Sequence, residues 1–450
     1  KPSGEIAVRQ IESLFNQGSA ESRPDGKVSA DVEGWEALSV NGALETEWKP
    51  IRAVIRHKSD KELVRMQHKF GESVTTRDHS YITGIDTKQE TKPSELERPL
   101  RVNIPDEENL RRIDLFSRVN GYTRDFVDSR GTGEATKKTK RFHSENAEIW
   151  FGLEGQHDTT RPKVKRYIES DREKKALLRL LAAYAAEGSS STKETTESKY
   201  GASISSTDKT WLKQIEDDME VLFSDTNASV IQSSKGVRKL EYDGGEKQVS
   251  YSDETLKLQL MNELSAVILR ELSGQRSDGK RVPDLVFNLG DRYKRLYIRN
   301  LVRGDGSREF PRYSEEYSKR HFDYETKSRE LAAGLSTLLN QLDRKHSFKY
   351  RDEKETYTIR TCDSYRDGRK PQLQEREERA EYVYDLDVEG NDSFVDAVGG
   401  IALHNTDSVM LKRQDLRSHL DGFLEDVNST LPEFMELEFE GYFERGFFTS

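Results

Sequence analysis

At 450 residues the chain is too long for one compact core, and two to four domains are expected. Charged residues make up 34% and hydrophobic ones 33%, with 18 Tyr and 18 Phe, which excludes a disordered chain; the formal charge of −10 excludes a uniformly basic nucleic-acid binder but leaves room for a local basic face. A single cysteine, Cys362, excludes a disulfide framework and a multi-cysteine metal site, and no apolar run reaches the length of a membrane span. The opening KPSGEIAVRQ is no signal peptide, so a cytoplasmic, soluble protein is expected, beginning inside a longer chain because Lys1 is not a Met.

In chain order, residues 1 to about 90 alternate short apolar stretches (WEALSV, WKPIRAVIRH, KELVRMQHKF) with Gly, Asn and Asp, the pattern of strands and hairpins. Residues 91 to 175 read as irregular and polar, and Asn109 to Arg166 hold 13 Lys/Arg against 8 Asp/Glu, a local excess suited to phosphates. EKKALLRLLAAYAA predicts a helix with Leu177, Leu181 and Tyr184 on one side and a small-residue seam of Ala182, Ala183 and Ala186. SKYGASISS predicts a strand, TDKTWLKQIEDDMEVLF a helix behind an Asp cap, and DETLKLQLMNELSAVILREL a further amphipathic helix. After a turn-rich joint from Ser273 to Lys280, DRYKRLYIRNLVRGDGS repeats the earlier logic of a helix ending in an acid and a glycine, and YETKSRELAAGLSTLLNQLD reads as a helix after it. Strands return in YTIRTCDSY and EYVYDLDVE. Beyond Thr406, Leu416, Leu420, Phe423, Leu424 and Val427 describe one more helix before the strand-like FMELEFEGYFERGFF, in a tail with 10 Asp/Glu against 4 Lys/Arg.

The chemistry concentrates first in GIALHNTDSVM, Gly400 to Met410. The Asn405 side-chain amide can attack the carbonyl that follows it, closing a succinimide and cutting the chain. His404 stands where it can assist, and the Thr406 hydroxyl is a nucleophile able to accept an acyl group. Taken alone, the tripeptide is equally at home in a surface turn or at a strand end.

Three stretches together resemble the inteins that interrupt archaeal family B DNA polymerases: GESVTTRDHSYI with its Thr-x-x-His pair, EYVYDLDVEGNDSFVDAVGGIALHN, and TDSVM, which is similar to the second half of the polymerase metal motif YGDTDS. The resemblance implies that His79 donates a proton to the upstream scissile amide, help typically worth roughly 10²–10⁴ in rate, while Thr76 holds or polarises that amide. It implies that Asp385 coordinates the two cleavages, that Thr406 takes the upstream segment as an ester, and that Asn405 cyclises with help from His404. Asp407 is then a polymerase metal ligand once splicing restores the full motif. Two departures follow. The first-residue Cys or Ser nucleophile of the family has no counterpart at Lys1, so this polypeptide is not expected to splice, only to cyclise Asn405 and release the flank. Asp392 stands where many inteins carry a histidine, which puts more weight on His404.

A second resemblance lies inside the first. LLAAYAAEG, Leu180 to Gly188, and IRNLVRGDG, Ile298 to Gly306, resemble the paired LAGLIDADG motifs of homing endonucleases. The resemblance implies that Glu187 and Asp305 meet at one site and hold Mg²⁺ for phosphodiester cleavage. DGKRVPDLVF is similar to the block that carries a lysine near a proline, which makes Lys280 a candidate to position water or neutralise charge, with Arg281 as the alternative. Lys137, Lys138, Lys140 and Arg141, and Lys163, Lys165 and Arg166, are candidate phosphate contacts; a solvated charge run accounts for them equally well. Cys362 reads as a bystander, and the remaining histidines show no metal-ligand spacing.

The expected fold is α+β and multidomain. An all-β Hint (hedgehog/intein) horseshoe from residues 1–95 and 375–405 is interrupted by a DNA-recognition region (96–172) and a pseudo-two-fold α/β LAGLIDADG endonuclease (173–374, repeats near 173–275 and 280–374). A polymerase palm fragment follows at 406–450. The expected partners are double-stranded DNA of the inteinless polymerase gene and the host polymerase exteins, with no membrane and a monomeric state; splicing itself needs no cofactor. The alternatives are a degenerate intein that binds DNA without cutting, and a chain that is simply a DNA polymerase.

Overall fold

The computed structural model describes residues 4–404 apart from 24–25, 60, 85–86, 109, 129–135, 154–161, 192–200, 224–227, 233–235, 243–244, 252–254, 261, 310–313, 366–371 and 377–379. Asn405, Thr406, Asp407 and the rest of the tail lie outside the described residues. The chain is mixed α/β with many small sheets. It divides into two compact units, one of Lys1–Pro105, Ser336–Tyr350 and Thr361–Ser450, the other of Asp106–Leu335 and Arg351–Arg360. The division groups residues 106–172 with the motif helices and gives Ser336–Tyr350 to the β-rich unit, at other boundaries than the sequence motifs suggest. Among the described residues, no helix is long and apolar enough to cross a membrane.

The β-rich unit is organised on one long strand, Thr46–Lys58. Its first half pairs with Glu36–Val40, and its second half pairs with Val28–Asp31 on one side and Tyr382–Val388 on the other. The ladder to Tyr382–Val388 shifts register at Asp387/Val388, near Pro50. Proline gives no ladder hydrogen bond, and a bulge bends a strand, so one strand can serve two sheets. The main core gathers Leu14, Phe15, Val54, Met66, Phe70, Tyr81, Val388, Ile401 and Leu403, and a smaller cluster gathers Val40, Ile82, Val102 and Ala402. Tyr81 and Leu403 lie in one cluster and their sequence neighbours Ile82 and Ala402 in the other, as side-chain alternation in a sheet with two buried faces requires. That sheet runs in the order Ser393–Asp396, Ile401–His404, Tyr81–Thr83, Gln89–Thr91. Gly399 and Gly400, at φ +92° and +70°, make the turn into its second strand, a backbone conformation that side-chain-bearing residues rarely adopt.

The second unit contains the two motif helices, Asp171–Glu187 and Asp291–Asp305. The first starts at a capping box in which Ser170 and Glu173 satisfy each other's backbone N–H groups. Leu177, Leu178, Leu180, Leu181, Ala182, Ala183 and Tyr184 are all buried, so the helix is enclosed on more sides than a single apolar stripe would indicate. Each motif helix runs directly into antiparallel strands: Gly188–Ser191 with Gly201–Ser206 after the first, Gly306–Ser307 with Asp323–Thr326 after the second. Asp208 caps the helix Lys209–Leu222 by accepting from the Trp211 N–H at 2.9 Å, as its sequence predicts.

Three sequence expectations are corrected here. DETLKLQLMNELSAVILREL is not one helix: Leu256–Leu260 is a strand, and the helix Glu263–Ser273 starts behind the Asn262 cap. Leu256, Leu258 and Leu260 alternate with polar residues, a period of two that the following helical pattern hides. Tyr324–Thr326 likewise belongs to a strand ahead of the helix Arg329–Gln341. The region read as irregular contains a sheet in the order Thr123–Asp128, Thr136–Glu145, Glu148–Leu153, Val164–Lys165.

Candidate functional site

Thr76 ends the strand Gly71–Thr76, and a two-residue turn lets the His79 N–H donate to the Thr76 carbonyl at 3.2 Å. The Thr76 hydroxyl bonds the Asp78 carboxylate, which also takes the Lys61 ammonium; burial works to raise the Asp78 carboxyl, but these two partners together pull it below its usual value. The His79 ring lies 6.5 Å from Phe394, centroid to centroid, and its Nε2 is buried without a hydrogen-bond partner. Burial holds the His79 imidazole below its ordinary value, opposed by the negative charge of Asp385 and reinforced by His404. His79 is therefore a neutral imidazole near pH 7.

Asp385, in the strand Tyr382–Val388 opposite Ile55, is 7% exposed and accepts the Leu386 N–H at 2.8 Å. His404 ends the strand Ile401–His404, donates its backbone N–H to Ser80 at 3.1 Å, and places Nε2 3.0 Å from Glu90 Oε1. The His404 contact, outweighing burial, holds Glu90 below the usual carboxylate range. Thr76, His79, Asp385 and His404 thus come together in one unit. Glu90 joins them and was missed: in QET nothing distinguishes it from a solvent-facing strand acid. Asp392 occupies an exposed turn with φ +44°.

In the second unit the two motif helices pack side by side and end together. A Cβ built on Gly304 would lie 2.5 Å from the Ala186 Cβ and 3.3 Å from Glu187 Cγ, so the helices cross with almost nothing between them. Burial, then the charge of Asp305, push the Glu187 carboxyl up to about 7. Asp305 is raised too, by burial and then by Glu325. Glu325 is itself engaged with Thr356 Oγ1 at 3.0 Å and with Arg351 and Lys354.

Lys280, 4% exposed, donates Nζ to the Tyr184 carbonyl at 2.7 Å, in the last turn of the first motif helix, and sits 3.4 Å over that tyrosine's ring. Burial brings its ammonium down to about 7. Arg281 turns elsewhere, donating to the Glu271 carbonyl, which separates the two candidates. Tyr184, Tyr297 and Tyr324 were missed by sequence reading. The buried Tyr297 hydroxyl has no hydrogen-bond partner, and Tyr324, pushed up first by burial, also feels Asp305, Tyr297 and Glu187. Tyr184 and Tyr297 lie on the motif helices and Tyr324 on the strand Asp323–Thr326, all three buried, and buried aromatic residues read as core.

The two carboxylates are an all-oxygen donor set whose repulsion a divalent cation would relieve, which suits Mg²⁺. Among the described residues, no group of three or more His, Cys, Asp or Glu is placed to hold a metal ion. Of the seven candidate phosphate contacts, Lys137 pairs with Asp125 at 2.7 Å, Lys140 with Glu263 at 2.6 Å, Lys163 with Glu148 at 3.0 Å and Lys165 with Glu173 at 2.5 Å. Arg166 grips the Asp114 carboxylate through both Nε and Nη2. Lys138 and Arg141 lie on the same strand as Lys137, Thr136–Glu145.

No family model matches the chain. Its sequence is 22% identical to a DNA polymerase of Thermococcus hydrothermalis over 497 residues, covering 100% of this chain and 26% of that protein. A 74-residue stretch is 40% identical to a DNA polymerase of Thermococcus aggregans, covering 15% of this chain and 4% of that protein. Among solved structures, I-DmoI in complex with DNA and Mn superposes with a TM-score of 0.28 at 10% identity, over 42% of this chain and 90% of that one. The transcription factor IIB Mvu mini-intein superposes with a TM-score of 0.21 at 21% identity, over 24% and 65%. Over its full length the chain is related to Thermococcus proteins named DNA polymerase, and it spans about a quarter of their length.

Proposed function

We propose that the chain is an intein with a polymerase flank, whose β-rich unit is a Hint-type splicing domain and whose helical unit is a LAGLIDADG-type endonuclease that cuts the uninterrupted polymerase gene. The observation that carries the reading is the convergence of Glu187 and Asp305 at the ends of two helices in contact through Gly304 and Ala186. A full-length relation to polymerases of which the chain spans about a quarter is what an inserted segment leaves.

In the nuclease, Glu187 and Asp305 would hold Mg²⁺, which supplies activation of water and stabilisation of the leaving oxygen in phosphodiester hydrolysis. Lys280 sits against the last turn of the Glu187 helix, and burial, which brings its ammonium down to about 7, suits it to take a proton from water. Lys137, Lys138, Lys140, Arg141, Lys163, Lys165 and Arg166 would contact phosphates, and the ion pairs of Lys140, Lys163, Lys165 and Arg166 also hold the elements that carry them.

In the splicing unit, His79, neutral at rest, would take up the proton released by the attacking nucleophile, as an imidazolium that Asp385 favours, and would return it to the departing upstream amide nitrogen next to Thr76. Asn405 would cyclise with help from His404, Thr406 would carry the acyl group, and Asp407 would serve the restored polymerase.

The test is cleavage, with Mg²⁺, of a duplex carrying the uninterrupted polymerase-gene junction. The chain is expected to cut both strands, and Glu187→Gln or Asp305→Asn to stop it. DNA binding without metal-dependent cutting by the unaltered chain would favour a decayed insert.

A further inference from the structure

His404 and Glu90 belong to strands that are not neighbours: Ile401–His404 and Gln89–Thr91 lie on either side of Tyr81–Thr83. Leu403 pairs with Tyr81, and Ile82 pairs with Glu90. Side chains alternate along each strand, so Glu90, Ile82, Ala402 and His404 share one face. On that face Ile82 and Ala402 are buried with Val40 and Val102. The His404 side chain is 8% exposed and that of Glu90 20%, with Nε2 and Oε1 3.0 Å apart.

A carboxylate at that distance accepts a hydrogen bond from the Nε2–H, as an outer partner does for a ligating histidine. We propose that Glu90 is the positioning residue for His404 in the closure of Asn405: its carboxylate fixes the ring and favours the imidazolium that forms as His404 carries a proton. This rests on the splicing reading and adds to it a residue outside the splicing motifs.

The step balances. Asn405 Nδ2 forms a bond to its own carbonyl carbon, the bond from that carbon to the Thr406 nitrogen breaks, Nδ2 gives up one proton, and the departing Thr406 amine takes one. His404 carries the proton between them, passing through an imidazolium that the Glu90 carboxylate stabilises. The Glu90 oxygen is held below the carboxylate range by this contact first and by the His404 charge and Lys88 further, so it stays ionised across the pH range of the reaction. Among the described residues, further charged groups near this pair include His79 beside His404, and Asp385 and Asp78 beside His79.

The experiment measures release of the C-terminal flank from the full chain by intact mass, across pH, in four proteins: unaltered, Glu90→Gln, His404→Ala, and the double variant. Glu90→Gln is expected to slow release roughly tenfold and to move its pH profile down by about one unit, because an opposite charge within a few ångströms shifts a histidine by that order. Glu90→Asp recovers part of the rate, and in the His404→Ala background Glu90→Gln makes no further difference. Equal rates and profiles in the unaltered chain and Glu90→Gln, or an undiminished Glu90 effect without His404, would overturn the proposal. Absence of release from the unaltered chain at every pH contradicts the splicing reading itself, a separate result.

Discussion

Gly304 and Ala186 touch where the two motif helices cross, one residue before each acid: a Cβ on Gly304 would come to 2.5 Å from the Ala186 Cβ. No real pair of Cβ atoms approaches so closely, so any larger residue at 304 drives the helices apart and separates Glu187 from Asp305. Gly304→Ala gains helix propensity, worth at most about 1 kcal/mol, and loses more than that to overpacking, which typically costs about 1–3 kcal/mol. Urea unfolding should show a net loss of about 1 kcal/mol, and DNA cleavage should fall at least tenfold, the larger effect because carboxylate separation decides metal binding.

The acid pair also predicts how stability follows pH. The folded state keeps the Glu187 proton up to about 7, whereas the unfolded chain releases it near 4.5. Stability from this group is therefore present below about 4.5 and falls as pH rises through about 7. Glu187→Gln should raise the melting temperature by a few degrees at pH 8, about 2 kcal/mol after solvent screening, and leave it unchanged at pH 4. Mg²⁺ should raise the melting temperature of the unaltered chain at pH 8 and not that of the Glu187→Gln, Asp305→Asn double variant, as calorimetry can check.

Lys280 carries the opposite sign. Its ammonium is brought from 10.5 down to about 7, so the folded state binds fewer protons across that window and stability rises with pH through it. Lys280→Met should be more stable than the parent at pH 6, with the gain shrinking toward pH 10. DNA cleavage should fall about 100-fold at every pH, the size expected for a lost proton-exchange group.

In the β-rich unit, Arg65 and Glu72 face each other across paired strands at 3.2 Å, with side chains 3% and 1% exposed, and the guanidinium lies 3.9 Å over the Tyr350 ring. Removing one partner strands a buried charge. Glu72→Gln should cost about 3–5 kcal/mol in urea unfolding, and the Arg65→Met, Glu72→Leu pair should recover most of it.

The motif helices, the Asp208 cap and the strands that carry Thr76 and Asp385 were legible because local periodicity and local side-chain capping fixed them. The sheet between Thr123 and Lys165 was not, because Lys137 and Asp125, and Lys163 and Glu148, neutralise each other between strands, and such strands look like loop composition. The strand Leu256–Leu260 was absorbed into the helix behind it because three alternating leucines also satisfy a helical pattern over so short a run. Glu90 was invisible for another reason: its partner is far along the chain, and only the order of four strands brings them together. The shifts at Glu187 and Lys280 come from burial, which no motif encodes.

A boundary between insert and host after Asn405 would show in the intact mass of the full chain on incubation. Two products are expected, one ending in a cyclised Asn405 and one beginning at Thr406, with His404→Ala suppressing both. Full-length chain that persists unchanged, with and without His404→Ala, would contradict it.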